Sequence, residues 1–186
     1  MALASNAVAL SQGQFGQHPL YVFCSDGIWA MSVDSSGATA YVASYPLSRQ
    51  VCVNSNSVCG VDGGVVFVGR QGVMLLNGGK MKRISDSMEG ESGLFARIAG
   101  DSVIQRIGTM MHLPDVVGNE DFSRFMESAC VAYLPAHDEM VFANEEFCYC
   151  YLYSLRYGTW THVTAAIKGF VPGCPLSRMF FVDGEQ

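Results

Sequence analysis

Tyr149, Tyr151 and Tyr153 stand at alternate positions in the run Cys148-Tyr149-Cys150-Tyr151-Leu152-Tyr153. Alternate side chains on a strand share a face, so this spacing lines up three phenol rings. Such a row suits two tasks. It can stack on the apolar face of a sugar ring, making all three tyrosines candidate ligand-facing aromatics. It can also pack one sheet against another, and this is the favoured reading because aromatic residues prefer half-buried strands. Cys148 and Cys150 take the opposite face. The cysteines number seven, an odd count without a Cys-x2-Cys pair. That pattern argues against a zinc ribbon and for unpaired, mostly buried thiols in a reducing compartment.

Other chemistry-bearing residues are scattered. His18, His112, His137 and His162 lie far apart, and none has metal-ligand spacing such as His-x3-His. Ser92, in Gly90-Glu91-Ser92-Gly93, is one residue short of a nucleophile elbow and precedes a helical pattern, which suits an N-cap. Asp138/Glu139 and Glu145/Glu146 are sequence neighbours beside turns. Adjacent strand residues point to opposite faces, so neither pair forms a two-carboxylate site. The glycines match neither a phosphate loop nor a dinucleotide fingerprint. No catalytic constellation and no cofactor or metal site is expected, so the chain reads as a non-enzyme.

The elements that would position these residues are short strands between turn signals. Leu20–Cys24 and Ile28–Val33 flank Ser25-Asp26-Gly27, and residues 40–45 read as a third strand. Residues 51–53 read as another short strand. Val58–Val61, Val65–Val68, Gly72–Leu76 and Lys80–Ile84 are separated by Asp62-Gly63-Gly64, a polar turn and Asn77-Gly78-Gly79, and so form four strands in succession. A helical period replaces alternation after residue 86. Leu94, Phe95, Ile98 and Ala99 share one helical face. Phe122, Phe125, Met126 and Ala129 share another, with Asn119 as N-cap. Strands resume over Cys130–Leu134, Glu139–Ala143, a long Glu146–Leu155, and Trp160–Val163.

This series repeats. Tyr21-Val22-Phe23 before a Gly turn returns as Val65-Val66-Phe67, about 44 residues later, and a third Val-Phe stands at Val141-Phe142. Spacing of about 40–45 residues between hairpins is the mark of propeller blades. The expected fold is therefore mainly β: a partial, propeller-like array of four-stranded antiparallel blades with a helical insert. The division is an irregular lead-in over 1–18, two β repeats over 19–85, the insert over 86–129, and a third repeat with the start of a fourth over 130–186. Phe23, Phe67 and Phe142 are expected at equivalent inner positions. Phe180-Phe181-Val182 is expected as an apolar strand without a partner, leaving the chain dependent on self-association.

Composition narrows the function. The 186 residues are 49% hydrophobic, which suffices for a buried core, and the net charge of −6 disfavours generic nucleic-acid binding. The charged fraction of 15% is below the usual ~25% and leaves neutral surface for protein partners. Lys80, Lys82 and Arg83 form the one basic run, read as a solvated hairpin end. No apolar run reaches the ~18 residues of a membrane span, and the apolar N-terminus lacks the basic region of a signal peptide.

Two resemblances extend this reading. Tyr151-Leu152-Tyr153-Ser154-Leu155-Arg156-Tyr157-Gly158-Thr159-Trp160 resembles a kelch-type propeller blade, whose Trp packs between neighbouring blades. Residues 9–23, followed by Gly27-Ile28-Trp29-Ala30-Met31, Pro46–Cys52 and Arg70–Leu75, resemble segments of long proteins from Bacteroidales phages and prophages. Those proteins are similar to the propeller-like tail hub or nozzle subunits of short-tailed phages, which are several times longer than this chain. The resemblance implies a structural virion protein, made in the bacterial cytoplasm. It implies a homo-oligomeric ring with tail or portal-complex partners, and carries over no catalytic residue. A carbohydrate-binding or adhesin propeller using the tyrosine row is the alternative.

Overall fold

The structure, a computed structural model, describes residues 1–5, 20–32, 43–88, 106, 110, 119–164, 167–170 and 181–183. Ser92 and the expected helix at Leu94–Ala99 lie outside the described residues, as do His18, His112 and Cys174.

Three four-stranded antiparallel meanders form the body. The first is β1 (Ala2–Ser5), β2 (Leu20–Cys24), β3 (Gly27–Ser32) and β4 (Ala43–Ser48). The second is β5 (Val58–Val61), β6 (Gly64–Gly69), β7 (Gly72–Asn77) and β8 (Lys80–Arg83). The third is β9 (Cys130–Leu134), β10 (Glu139–Ala143), β11 (Cys150–Ser154) and β12 (Thr159–Val163). A hairpin of β13 (Ile167–Phe170) and β14 (Phe181–Asp183) follows. The α-helix Asn119–Glu127, α1, precedes the third sheet.

The first strands of successive sheets touch in series: β1 meets β5, β5 meets β9, and β9 meets β13. Sheets stacked on a common line of inner strands make a propeller-like array, the architecture the repeat spacing implies. The second sheet is covered on both faces, and all six residues of β6 are buried. Val65, Phe67, Met74 and Leu76 face the first sheet and its Tyr21, Phe23, Ile28 and Ala30. Val66, Val68 and Val73 face α1 and the third sheet. Two cores thus flank one sheet, which is why β6 reads as a continuous apolar run.

Edges are blunted by sequence. β4 carries Pro46, tolerated on an edge strand, and β8 is Lys-Met-Lys-Arg with both lysines and Arg83 exposed. The β5–β6 turn places Asp62-Gly63 at its tip, with Gly63 at φ 82°, a conformation glycine adopts without steric cost.

Several expectations require correction. Ala2–Ser5 is not irregular: it pairs with β2 and supplies the innermost strand of the first sheet. The third strand of the 20–48 region is Ala43–Ser48 rather than 40–45. Residues 51–53 form only an isolated bridge, Cys52 to Gly69. Residues 146–149 belong to the β10–β11 connection, so the long strand shrinks to Cys150–Ser154. Phe181–Asp183 has a partner, since β14 pairs with β13.

Phe23, Phe67 and Phe142 each stand on the second strand of a sheet and are buried, but their faces are not equivalent. Phe67 packs back on the first sheet and Phe142 back on the core shared with the second. Phe23 points forward. Phe23 lies one residue before the closing pair Cys24–Gly27 of its hairpin, and Phe67 two before Gly69–Gly72. A one-residue shift moves a strand side chain to the other face.

Candidate functional site

The tyrosine row lies in an aromatic cluster between α1, the third sheet and the second. α1 is amphipathic and buries Phe122, Phe125 and Met126, with Ala129 just beyond its end. This is the face its 3.6-residue period marks. Phe125 meets Tyr151 edge-on at 5.0 Å and stacks on Tyr149 at 5.4 Å. Phe122 meets Tyr151 at 5.2 Å and Trp160 at 5.4 Å, again edge-on. Trp160 also leans on Phe142 and Tyr153.

Tyr151 and Tyr153 are buried, at 1% and 6% exposure, and belong to this core. Tyr149 sits in the connection before β11, half-buried against Phe147 and His162. The structure therefore brings all three tyrosines together and turns them inward. Stacking on a sugar requires a free ring face, and Tyr151, buried among Phe122, Phe125 and Trp160, offers none to solvent.

Two asparagines lock the helix. Asn144, buried after β10, donates to the Phe125 carbonyl at 2.7 Å and to Ser128 Oγ at 2.9 Å, while its Oδ1 accepts from the Glu146 N–H at 3.0 Å. Asn54, before β5, donates to the Glu127 and Ala129 carbonyls at 3.1 and 3.3 Å. The last carbonyls of a helix lack intrahelical partners, and here side chains from the second and third sheets supply them. The sequence reading missed both residues; for Asn144 the signal present was an asparagine directly after a strand and three residues before Phe147, and Asn54 carries no such signal.

Burial governs the titrations. It pushes the Tyr151 hydroxyl well above its usual range, with the neighbouring Tyr149 adding to the effect. Tyr133 is pushed up to about 12 by burial and by its hydroxyl bond to Asp138 Oδ1. His162 is lowered by burial, and its Nε2 is buried without a hydrogen-bond partner. Burial pushes the Cys59 thiol up to about 11.

The remaining candidates stay apart. His137 is exposed at the β9–β10 turn, whereas His162 is half-buried on β12. Asp138 is engaged by Tyr133, Glu139 is in β10, and Glu145 and Glu146 are exposed. Arg83, from the basic run, pairs with Asp86 and donates to the Gln71 carbonyl. Cys24, Cys52, Cys59, Cys130, Cys148 and Cys150 are unpaired. Among the described residues no three metal-ligating side chains converge, and no helix is long and apolar enough to cross a membrane. Neither the protein-family models nor the curated proteins give a match to this chain.

Proposed function

We propose that this chain is a structural, non-catalytic component of a phage or prophage tail, a hub- or nozzle-type ring subunit or a part of one. The observation that carries the reading is the serial contact of β1, β5, β9 and β13. Sheets joined through one line of inner strands form an open series, which further sheets or subunits can extend. The sparse charge and the phage-like segments at residues 9–23 and 46–52 support the same reading. The partners are other tail or portal-complex proteins and further copies of the chain.

A glycan-binding role for Tyr149, Tyr151 and Tyr153 has less support, because the row is turned into the core.

Mass spectrometry of particles induced from the host that carries the gene tests the proposal. Peptides of this chain are expected in purified tails at a constant ratio to the portal protein. Their absence from particles overturns it. Sedimentation of the isolated chain at micromolar concentration adds a second test: self-association is expected, and a single stable 20.1 kDa species with a cooperative melt overturns the ring.

A further inference from the structure

The first sheet turns Tyr21, Phe23, Ile28 and Ala30 inward on the second sheet. Its other face carries a row of cross-strand partners, Leu3, Val22, Trp29 and Pro46, none of them buried. At the Pro46 end of this row lies an open cleft of about 340 Å³, lined by Asp26, Trp29, Pro46, Leu47, Ser48 and Arg49.

Three features build the cleft. The β3–β4 ladder slips between the pairs Ile28–Ser48 and Trp29–Pro46, so Leu47 is an extra residue in a bulge. Bulges bend the strand and re-aim neighbouring side chains, here Trp29 and Pro46. Gly27 sits at φ 149°, and a Cβ there would run into the Ser48 carbonyl oxygen. Only glycine lets the Asp26 turn close against Ser48 and Arg49. Finally, Asp26 and Arg49 are exposed at the rim, and neither side chain has a hydrogen bond or ion pair within the described structure.

We propose that this cleft binds a neutral saccharide through Trp29, Asp26 and Arg49. A sugar ring has an apolar C–H face and a hydroxyl edge. The half-buried indole of Trp29, which lines the cleft, offers the flat apolar surface for the first. At the edge, Asp26 accepts from hydroxyls and Arg49 donates to them, and bonds to charged groups are the stronger kind. The two charges cancel, so the site does not select a charged ligand. The volume is near the lower end of ligand pockets, ~300–1,000 Å³, which suits one or two rings. A second copy stacked on the same face would desolvate both charged groups, a cost that a ligand bearing donors and acceptors avoids. This site is separate from the tyrosine row and does not depend on the tail assignment.

The test uses the full chain on an array of neutral mono- to tetrasaccharides, followed by fluorescence titration with the best binder. At least one neutral glycan is expected to bind and to shift the emission of Trp29; Trp160, packed against the core between the second and third sheets and hydrogen-bonded to the Ile84 carbonyl, is expected not to respond. Trp29→Ala should abolish binding. Asp26→Asn and Arg49→Gln should each weaken it roughly tenfold or more, the value of a hydrogen bond to a charged group. Tyr149→Phe should leave binding unchanged. Arg49 is exposed, so Arg49→Gln reports on the site even if Trp29→Ala misfolds. The proposal is overturned if no neutral glycan binds, if only anionic glycans bind, or if binding survives Arg49→Gln undiminished. Conversion of an oligomer to a monomer by Trp29→Ala, without glycan binding in the parent, would reassign the face to a second copy.

Discussion

The indole N–H of Trp160 donates to the carbonyl oxygen of Ile84 at 2.9 Å. Trp160 stands on β12, an outer strand of the third sheet, while Ile84 follows β8, the outer strand of the second. The bond ties the outer edges of two sheets whose inner strands already touch through β5 and β9. With Phe122, Phe142 and Tyr153 around the ring, this residue closes the outer end of the inter-sheet core. Trp160→Phe keeps a ring and removes the donor. It is expected to cost about 1 kcal/mol, the net value of one hydrogen bond. Trp160→Ala should cost more, because it also removes packing. Urea unfolding of both variants measures the difference, and a Trp160→Phe variant as stable as the parent would show that the bond contributes nothing.

Asn144→Ala should loosen α1 selectively. The substitution leaves the Phe125 carbonyl without its partner in a buried setting, and Ser128 without its partner in a part-buried one, a loss of roughly 1–3 kcal/mol. Amide exchange should speed up in α1 and in the β10–β11 connection, with the first sheet unchanged. Uniform acceleration across all three sheets would contradict a local clamp.

Phe23 and Phe67 meet across the first inter-sheet core at 5.1 Å. Either one changed to Ala should cost about 3–5 kcal/mol. A double-mutant cycle between them should show coupling of about 0.5–1.5 kcal/mol. Phe142 belongs to the other core, so Phe23→Ala and Phe142→Ala should add. Coupling between that second pair would mean that the two cores are not independent.

Acidification should weaken the third sheet through His162. Its folded pKa is depressed by burial from 6.5, so the unfolded chain binds the proton more readily. The neutral ring is held at full stability above about 6.5, and stability falls as pH drops from that value toward the folded pKa. Denaturation midpoints between pH 8 and pH 5 (about neutral to mildly acid) should decline in the parent and less in His162→Gln. An identical decline in both would assign the effect to carboxylates.

Thiol reactivity should rank by burial. Cys148 is exposed and should react first with a disulfide reagent. Cys59, with its thiol pushed up to about 11, and buried Cys150 should react slowly until the chain unfolds, because the thiolate is the reacting form. Rapid modification of the half-buried Cys59 in the folded chain would contradict its raised pKa.

Local rules were legible in this sequence wherever a turn residue sat beside a short apolar run. Val58–Val61, Cys130–Leu134 and Glu139–Ala143 are strands at the expected bounds, and the α1 face of Phe122, Phe125 and Met126 follows from spacing alone. Turn chemistry and helical period act over a few residues, so sequence determines them directly. What only the tertiary structure decided depends on partners far along the chain. Ala2–Ser5 is a strand because β2 is there to pair with it. Phe23 points forward rather than back because its hairpin closes one residue earlier than that of Phe67. Asn54 and Asn144 became helix caps, and Tyr149, Tyr151 and Tyr153 turned inward, because α1 packs between two sheets. The cleft at Trp29 exists because a bulge and Gly27 bring Asp26 and Arg49 to one rim. Each of these is a matter of register or packing between distant segments, and a single chain read in order carries no term for either.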